Sequence, residues 1–215
     1  MIKRLIFDVD NTLITNVDFE LAIKETLNDL NLLSDDRVEQ FKIAIKQYEK
    51  EYDNYNKNDY IMFMEKRLNC KLPSKFLECF FEHLKNLIPN YNIKLVETIE
   101  KLSLKYELVL LTNYFSESQL NRLNNMGIGK YFTSCYGEHK IKPYPEAYIA
   151  ACGINEPQEC IMIGDDIYLD IECAKKLGIN TIYINNKNNT EKVTSISVEK
   201  VEDINENMIE QFNKK

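Results

Sequence analysis

Three short apolar runs each end abruptly in a polar cluster, and this repeated junction constrains the fold more than any other feature of the chain. Leu5-Ile6-Phe7 runs into Asp8-Val9-Asp10-Asn11-Thr12-Leu13, Leu108 to Leu111 into Thr112-Asn113, and Ile161-Met162-Ile163 into Gly164-Asp165-Asp166. Continuous apolar runs this short are expected of strands covered on both faces. Around them the spacing turns helical. Ile93, Val96, Ile99 and Leu102 mark one helix; another opens near Ser116 and stops at Gly127. Pro145 begins a third that ends at Gly153, and a fourth runs from about Ile167 to Leu177 before Gly178. Ser116 with Gln119 reads as a capping box. A weaker strand around Phe132 to Cys135, another at Thr181 to Ile184 and a last one near Thr194 to Val198 complete the series. This alternation predicts an α/β fold with a Rossmann-like parallel sheet between two helical layers. Such sheets bind ligands outside the carboxyl ends of their strands, and each polar cluster sits at such an end.

Residues 16–88 follow a different pattern. Helical spacing runs from Val17 to Leu30, Asp35 to Lys50, Tyr60 to Leu68 and Ser74 to Leu87, with a polar connector from Glu51 to Asp59 and no strand signal. The expectation is a small helical domain, 16–88, inserted into a core made of 1–15 and 89–215. Tyr48, Tyr52 and Tyr55 are spaced four and three apart, which suits a buried helix face better than a stacking surface for a ligand.

Composition narrows the partners. The 215 residues carry 27 Lys and Arg against 34 Asp and Glu, a formal charge of −7. No cationic excess is left to displace counterions from phosphates, which argues against nucleic acid. An anionic substrate would need local neutralisation by a metal or a particular lysine. No stretch of about 18 apolar residues is present to span a membrane. The N-terminal apolar run breaks at Asp8, too early for a signal peptide. The six cysteines form no C-x-x-C pair, several fall inside apolar runs, and they read as buried thiols of a reducing compartment, so a cytoplasmic location is expected. Monomer and homodimer are both left open.

If the first strand continues briefly, Asp8 and Asp10 point to the same side. Two crowded carboxylates repel each other and resist desolvation, so a fold that keeps them holds a cation there or divides acid and base roles between them. Thr112, closing a buried strand, needs a polar partner. Taken singly, Lys142 before Pro143 reads as a surface lysine, Asp166 as a helix N-cap and Asp170 as a charge favoured by the helix dipole. His83 and His139, the only histidines, read as surface or packing residues.

In order, the clusters Asp8-Val-Asp-Asn-Thr-Leu13, Leu111-Thr112-Asn113, Lys142-Pro-Tyr-Pro145 and Gly164-Asp165-Asp166 with Asp170 resemble the motifs of the haloacid dehalogenase superfamily, over essentially the whole chain. Most of that family are phosphatases. The resemblance implies a Mg²⁺-dependent phosphatase acting through a phospho-aspartyl intermediate on Asp8, with Asp10 as general acid and base. It implies metal ligation by the Asp8 and Asp165 side chains and the Asp10 backbone carbonyl. Thr112, Asn113 and Lys142 would bind the phosphoryl group, with Lys142 neutralising Asp8, and Asp166 and Asp170 would support them. The helical insertion looks like the family's type 1 cap, a lid suited to a small phosphomonoester: a sugar phosphate, a phosphoglycolate-like acid or a nucleoside monophosphate. Asn16 and Phe19 are its expected substrate-facing positions. A dehalogenase of the same fold typically lacks the second aspartate, so Asp10 speaks against that activity. A phosphomutase, or a non-enzymatic binding module on the same scaffold, are the alternatives.

Overall fold

A computed structural model describes residues 1–15, 17–87, 92–186, 193 and 195–214. Six strands, β1 (Arg4–Phe7), β2 (Glu107–Leu111), β3 (Phe132–Tyr136), β4 (Cys160–Gly164), β5 (Asn180–Ile184) and β6 (Ile196–Val198), form one parallel sheet. Their order is β3-β2-β1-β4-β5-β6. Phe7 is level with Leu110 on one side and Ile163 on the other, so the three apolar-to-polar junctions meet at the carboxyl ends of neighbouring inner strands.

Alternate residues of each strand feed opposite layers. Leu5, Phe7, Leu108, Leu110, Ile161 and Ile163 pack with Leu95, Ile99 and Leu102 of α5 (Ile93–Ser103) and Leu123 of α6 (Ser116–Asn125). Ile6, Val109, Leu111 and Met162 face the other way, against Ala147, Tyr148 and Ala151 of α7 (Pro145–Cys152) and Ala174 of α8 (Cys173–Lys176). These are the three α/β/α layers.

Between β1 and α5 the chain forms α1 (Phe19–Asp29), α2 (Asp35–Glu51), α3 (Lys57–Leu68) and α4 (Phe76–Asn86). They share a second core rich in aromatic rings, including Phe41, Tyr48, Tyr60, Phe76 and Phe80. Tyr48 is fully buried and stacks on Tyr52, with ring centroids 4.6 Å apart, so these tyrosines are packing residues. Tyr114 and Phe115, just beyond β2, insert into that core; Phe115 lies 5.1 Å from Tyr55 and 5.3 Å from Tyr60. Among the described residues no helix is long and apolar enough to cross a membrane. All six cysteines are free, but only Cys152, Cys160 and Cys173 are buried as expected; Cys70, Cys79 and Cys135 are partly exposed.

Three local expectations are corrected. The capping box at Ser116 does not form: Phe115 holds the cap position without a side-chain bond, and Glu138 accepts from the Ser116 N–H at 3.0 Å instead. The connector is shorter, because Glu51 belongs to α2 and Asn56 caps α3 by accepting from the N–H groups of Asn58 and Asp59. The helix after β4 begins as a π-helical turn, Ile167–Glu172, before α8. The polar tail carries α9 (Glu206–Glu210), and its sparse apolar residues Val201, Ile204 and Ile209 all enter the sheet's core. Thr194, where the last strand was expected to start, lies outside the described residues.

Candidate active site

Asp8 is the first residue past β1. Its N–H donates to the Ile163 carbonyl at 2.9 Å, which prolongs the parallel ladder by one step and holds the side chain at the carboxyl end of β1. The chain then curls tightly. Val9 O accepts from the N–H groups of Leu13 and Ile14, and Asn11 takes a left-handed φ of 64°. Asp8 and Asp10 both line the resulting cleft, of about 260 Å³, together with Asn11, Phe19, Glu49, Thr112, Asn113, Lys142, Asp165, Asp166 and Asp170. Every other residue expected at the site is therefore at this cleft except Asn16, which lies outside the described residues.

Taken singly Lys142 reads as a surface residue, but the structure buries it beside Asp8, the neighbour that the family resemblance implies for it. Its side chain is 3% exposed, and Nζ donates to Asp8 Oδ1 at 2.7 Å and Asp170 Oδ1 at 2.6 Å. Asn113 brackets its backbone: Asn113 Oδ1 accepts from the Lys142 N–H at 2.7 Å and Nδ2 donates to the Lys142 carbonyl at 2.9 Å. The Asn113 side chain is thus spent on placing the lysine. The second oxygen of Asp170 accepts from the Asp166 N–H at 3.1 Å, while Asp166 caps the following turn through the N–H groups of Tyr168 and Leu169. Gly164 makes room for this packing, since a Cβ there would stand 2.1 Å from Asp170 Oδ2. Gly137 does the same beside Thr112, where a Cβ would meet the Thr112 carbonyl oxygen at 1.9 Å.

Burial pushes the Asp8 carboxyl up to about 7, against the opposing pull of Lys142. Burial likewise raises Asp170, again opposed by Lys142. Burial alone would lower Lys142, but Asp170 and Asp8 outweigh it and hold the ammonium well above its ordinary value. The charge count explains these directions. Asp8, Asp165 and Asp170 place carboxylate oxygens within 4.8 Å of one another, and Lys142 supplies one positive charge against three negative. The deficit equals one divalent cation, and a set of carboxylate oxygens suits a hard cation such as Mg²⁺. Both oxygens of Asp170 are engaged, by Lys142 and by the Asp166 N–H, whereas Lys142 takes only Oδ1 of Asp8, so the Asp8 carboxylate, with that of Asp165 close by, fits a cation's ligand set better than Asp170.

Two site residues on α6 and one on α2 are absent from the sequence reading. Arg122 Nη1 donates to Asp10 Oδ1 at 2.8 Å, and Gln119 Nε2 donates to Asp10 Oδ2 at 2.7 Å and to Thr112 Oγ1 at 2.9 Å. Gln119 is the residue that the capping box had claimed. A signal was present: Gln119 and Arg122 fall in helical phase with Phe115, Leu123 and Met126, so two strong polar groups occupy core positions. Glu49 of α2 reaches the opposite wall, accepting from Asn113 Nδ2 at 3.1 Å and from the Tyr55 hydroxyl at 2.8 Å. Nothing in its local sequence separates Glu49 from the exposed acids around it.

The sequence profile of the haloacid dehalogenase-like hydrolases matches residues 2–178. No curated relative matches the chain. Solved structures share the fold at low identity. YfnB of Bacillus subtilis, assigned to the HAD hydrolases and bound to magnesium, is 19% identical with a TM-score of 0.70, and the match covers 99% of each chain. A HAD phosphatase from Thermococcus onnurineus is 21% identical with a TM-score of 0.64, covering 93% of this chain and 94% of its own. A Thermotoga maritima protein assigned as a β-phosphoglucomutase is 17% identical with a TM-score of 0.61, covering 98% and 99%.

Proposed function

This chain belongs to the haloacid dehalogenase-like hydrolase family, and on that footing we propose that it is a Mg²⁺-dependent phosphatase of small phosphomonoesters, with Asp8 as nucleophile. The observation that carries the reading is the buried Asp8–Lys142–Asp170 cluster beside Asp165, short of positive charge by the valence of one divalent ion. Asp8, Asp165 and the Asp10 carbonyl would hold Mg²⁺, which when bound neutralises phosphoryl oxygens and keeps Asp8 ionised.

An Asp8 oxygen attacks phosphorus, the ester P–O bond breaks, and the departing alkoxide takes a proton from Asp10. A carboxylate needs no activating base for this step, unlike a serine. Asp10, now ionised, then takes a proton from the water that attacks the phospho-aspartate, releasing inorganic phosphate and restoring Asp8. Lys142 stays on Asp8 throughout and keeps the nucleophile compatible with an anionic substrate. Thr112, fixed by Gln119, offers its hydroxyl to a phosphoryl oxygen.

We assign α1 to α4 (within 16–88) the role of a cap over a core of 1–15 and 89–215; Phe19 and Glu49 from those helices line the cleft. Glu49 disfavours a second anionic group on the substrate, so of the three substrate classes a phosphoglycolate-like acid fits least and a hydroxyl-bearing leaving group best. Asp10 speaks against dehalogenation, which has no alkoxide to protonate. A phosphomutase is the second reading, favoured by the likeness to the Thermotoga maritima protein.

Hydrolysis of p-nitrophenyl phosphate with and without Mg²⁺, by wild type and Asp8→Asn, tests the reading. The expected result is Mg²⁺-dependent release of phosphate that falls by on the order of 10⁴-fold in the variant, the scale on which nucleophile removal acts. Equal turnover in both proteins overturns the assignment of Asp8. Interconversion of sugar phosphates without phosphate release would select the mutase.

A further inference from the structure

Arg122 is a buried charged group that the mechanism does not use. Its side chain is 1% exposed, and Asp10 is the one acid within salt-bridge distance among the described residues. Its Nε and Nη2 make no hydrogen bond among those residues, and the guanidinium lies 5.5 Å from the centre of the Phe19 ring. A buried arginine with two unsatisfied nitrogens is a poor device for stability, because desolvating the charge costs more than one ion pair returns and a leucine would pack as well. Gln119 is also fully buried. It accepts from Arg122 Nη1 at 2.7 Å and spends its amide N–H groups on Asp10 and Thr112. The pair therefore grips both oxygens of Asp10 and ties the loop after β1 to the end of β2.

We propose that Arg122 and Gln119 are positioning residues that fix the Asp10 carboxyl for proton exchange with the leaving oxygen. The proposal rests on the reading of Asp10 as proton carrier. Gripped at both oxygens, Asp10 is confined to one rotamer over the cleft, so no rotamer search precedes proton transfer. The donors touch neither the phosphoryl group nor Asp8. Arg122 hydrogen-bonds only Asp10 and Gln119 among the described residues, so its loss should matter only where a proton is needed, whereas Gln119 also holds Thr112 and its loss should weaken the grip on the phosphoryl group of any ester as well.

Leaving-group dependence separates this role from a structural one. 2,4-Dinitrophenolate departs without protonation, whereas an alkoxide requires it. The value of kcat/KM reports the steps through ester cleavage, and it would be measured for 2,4-dinitrophenyl phosphate and for an alkyl phosphomonoester. Arg122→Met and Gln119→Leu are expected to lower kcat/KM for the alkyl ester by roughly 30- to 100-fold, within the range that general acid catalysis supplies. Arg122→Met should lower it less than about threefold for the dinitrophenyl ester, and Gln119→Leu, which also releases Thr112, should lose more on that ester yet clearly less than on the alkyl one; Arg122→Lys should recover part of the loss and Asp10→Asn should show the same selectivity more strongly. Equal losses on both esters, or no loss on either in folded variants, overturn the proposal. Circular dichroism and thermal melts check folding, and if Arg122→Met does not fold, Gln119→Leu and Arg122→Lys carry the comparison. Wild-type turnover that survives in Asp8→Asn, or no turnover of either ester, removes the phosphatase reading and this proposal with it. Wild-type turnover lost in Asp8→Asn, with flat leaving-group dependence in the variants, removes this proposal alone.

Discussion

The floor and the roof of the cleft are built on opposite principles. The floor, at the ends of β1 and β4, packs Asp8 and Asp170 around one buried ammonium with Asp165 alongside, and short strands and a glycine hold it rigidly. The roof brings down Phe19 from α1 and Glu49 from α2, carried on a core of interlocking aromatic rings. The floor is expensive: buried like charges and a desolvated lysine make it a site the fold must support, not one that supports the fold. The roof stands on apolar packing, which stabilises at roughly 25 cal/mol per Å² of apolar area buried. The difference suggests a division of labour. On the proposed phosphatase reading, chemistry common to any phosphate ester belongs to the floor, and selection among esters to the roof.

The largest expected effect breaks the floor. Lys142→Met leaves Asp8 and Asp170 buried without their counter-charge, and removing one partner of a buried pair costs about 3–5 kcal/mol. Urea unfolding at pH 8 should show that loss, together with loss of phosphatase turnover. A loss below about 1 kcal/mol, the scale of an exposed pair, would mean the cluster is more solvated than its geometry indicates.

A smaller effect comes from metal and pH together. Burial raises the Asp8 carboxyl from 3.8 to about 7, so the folded state holds its proton more tightly than the unfolded chain. Stability from this group is therefore present at low pH and declines as pH rises from about 4 to about 7. The raised Asp170 acts in the same direction. Exposed acids such as Glu20, held at about 2 by Lys24 and Lys42, act oppositely, but solvent screens them. The metal-dependent difference isolates the floor, because Mg²⁺ needs Asp8 ionised and competes with its proton. Saturating Mg²⁺ is expected to raise Tm by about 5–10 °C at pH 8, the yield of roughly 2.7 kcal/mol at a hundredfold excess over Kd. At pH 5.5 the increase should be clearly smaller, and in Asp8→Asn it should be nearly absent at both. An increase independent of pH would place the ion away from Asp8.

Floor and roof also differ in how far the sequence discloses them. Sheet, layers and the cleft-lining acids were legible because buried parallel strands write continuous apolar runs, and chemistry at their ends interrupts those runs at once. Asp8, Thr112 and Asp165 each stand at such an interruption. Lys142 was legible only through its motif, since its burial depends on a bracket by Asn113 and on two partners 134 and 28 residues away. Gln119 illustrates a competing rule that lost: a Ser and a Gln three apart suit a helix cap, but Glu138 satisfied the Ser116 N–H and left Gln119 for Asp10. The helices of the roof were read from their periodicity. Which of their polar residues looks down was not, because Glu49 differs from its exposed neighbours only in a tertiary contact, the hydrogen bond it accepts from Asn113.

Glu49 therefore gives the finest test of the division of labour. If the roof selects, Glu49→Gln should leave turnover of an uncharged sugar or nucleoside monophosphate within about threefold, because the amide keeps the side chain's shape and an acceptor for Asn113. For an ester carrying a carboxylate, such as phosphoglycolate, loss of the like charge should raise kcat/KM by about tenfold, the equivalent of 1.4 kcal/mol for a partly screened repulsion. The gain should shrink with added salt, as a half-exposed carboxylate is open to screening. Comparing the two esters at low and high ionic strength decides the matter. If their ratio does not change in Glu49→Gln, Glu49 serves to brace Asn113 and hence Lys142, and selection lies with Phe19 instead. An equal fall in both esters would make Glu49 part of the floor in all but position, erasing the contrast between the two walls at that residue.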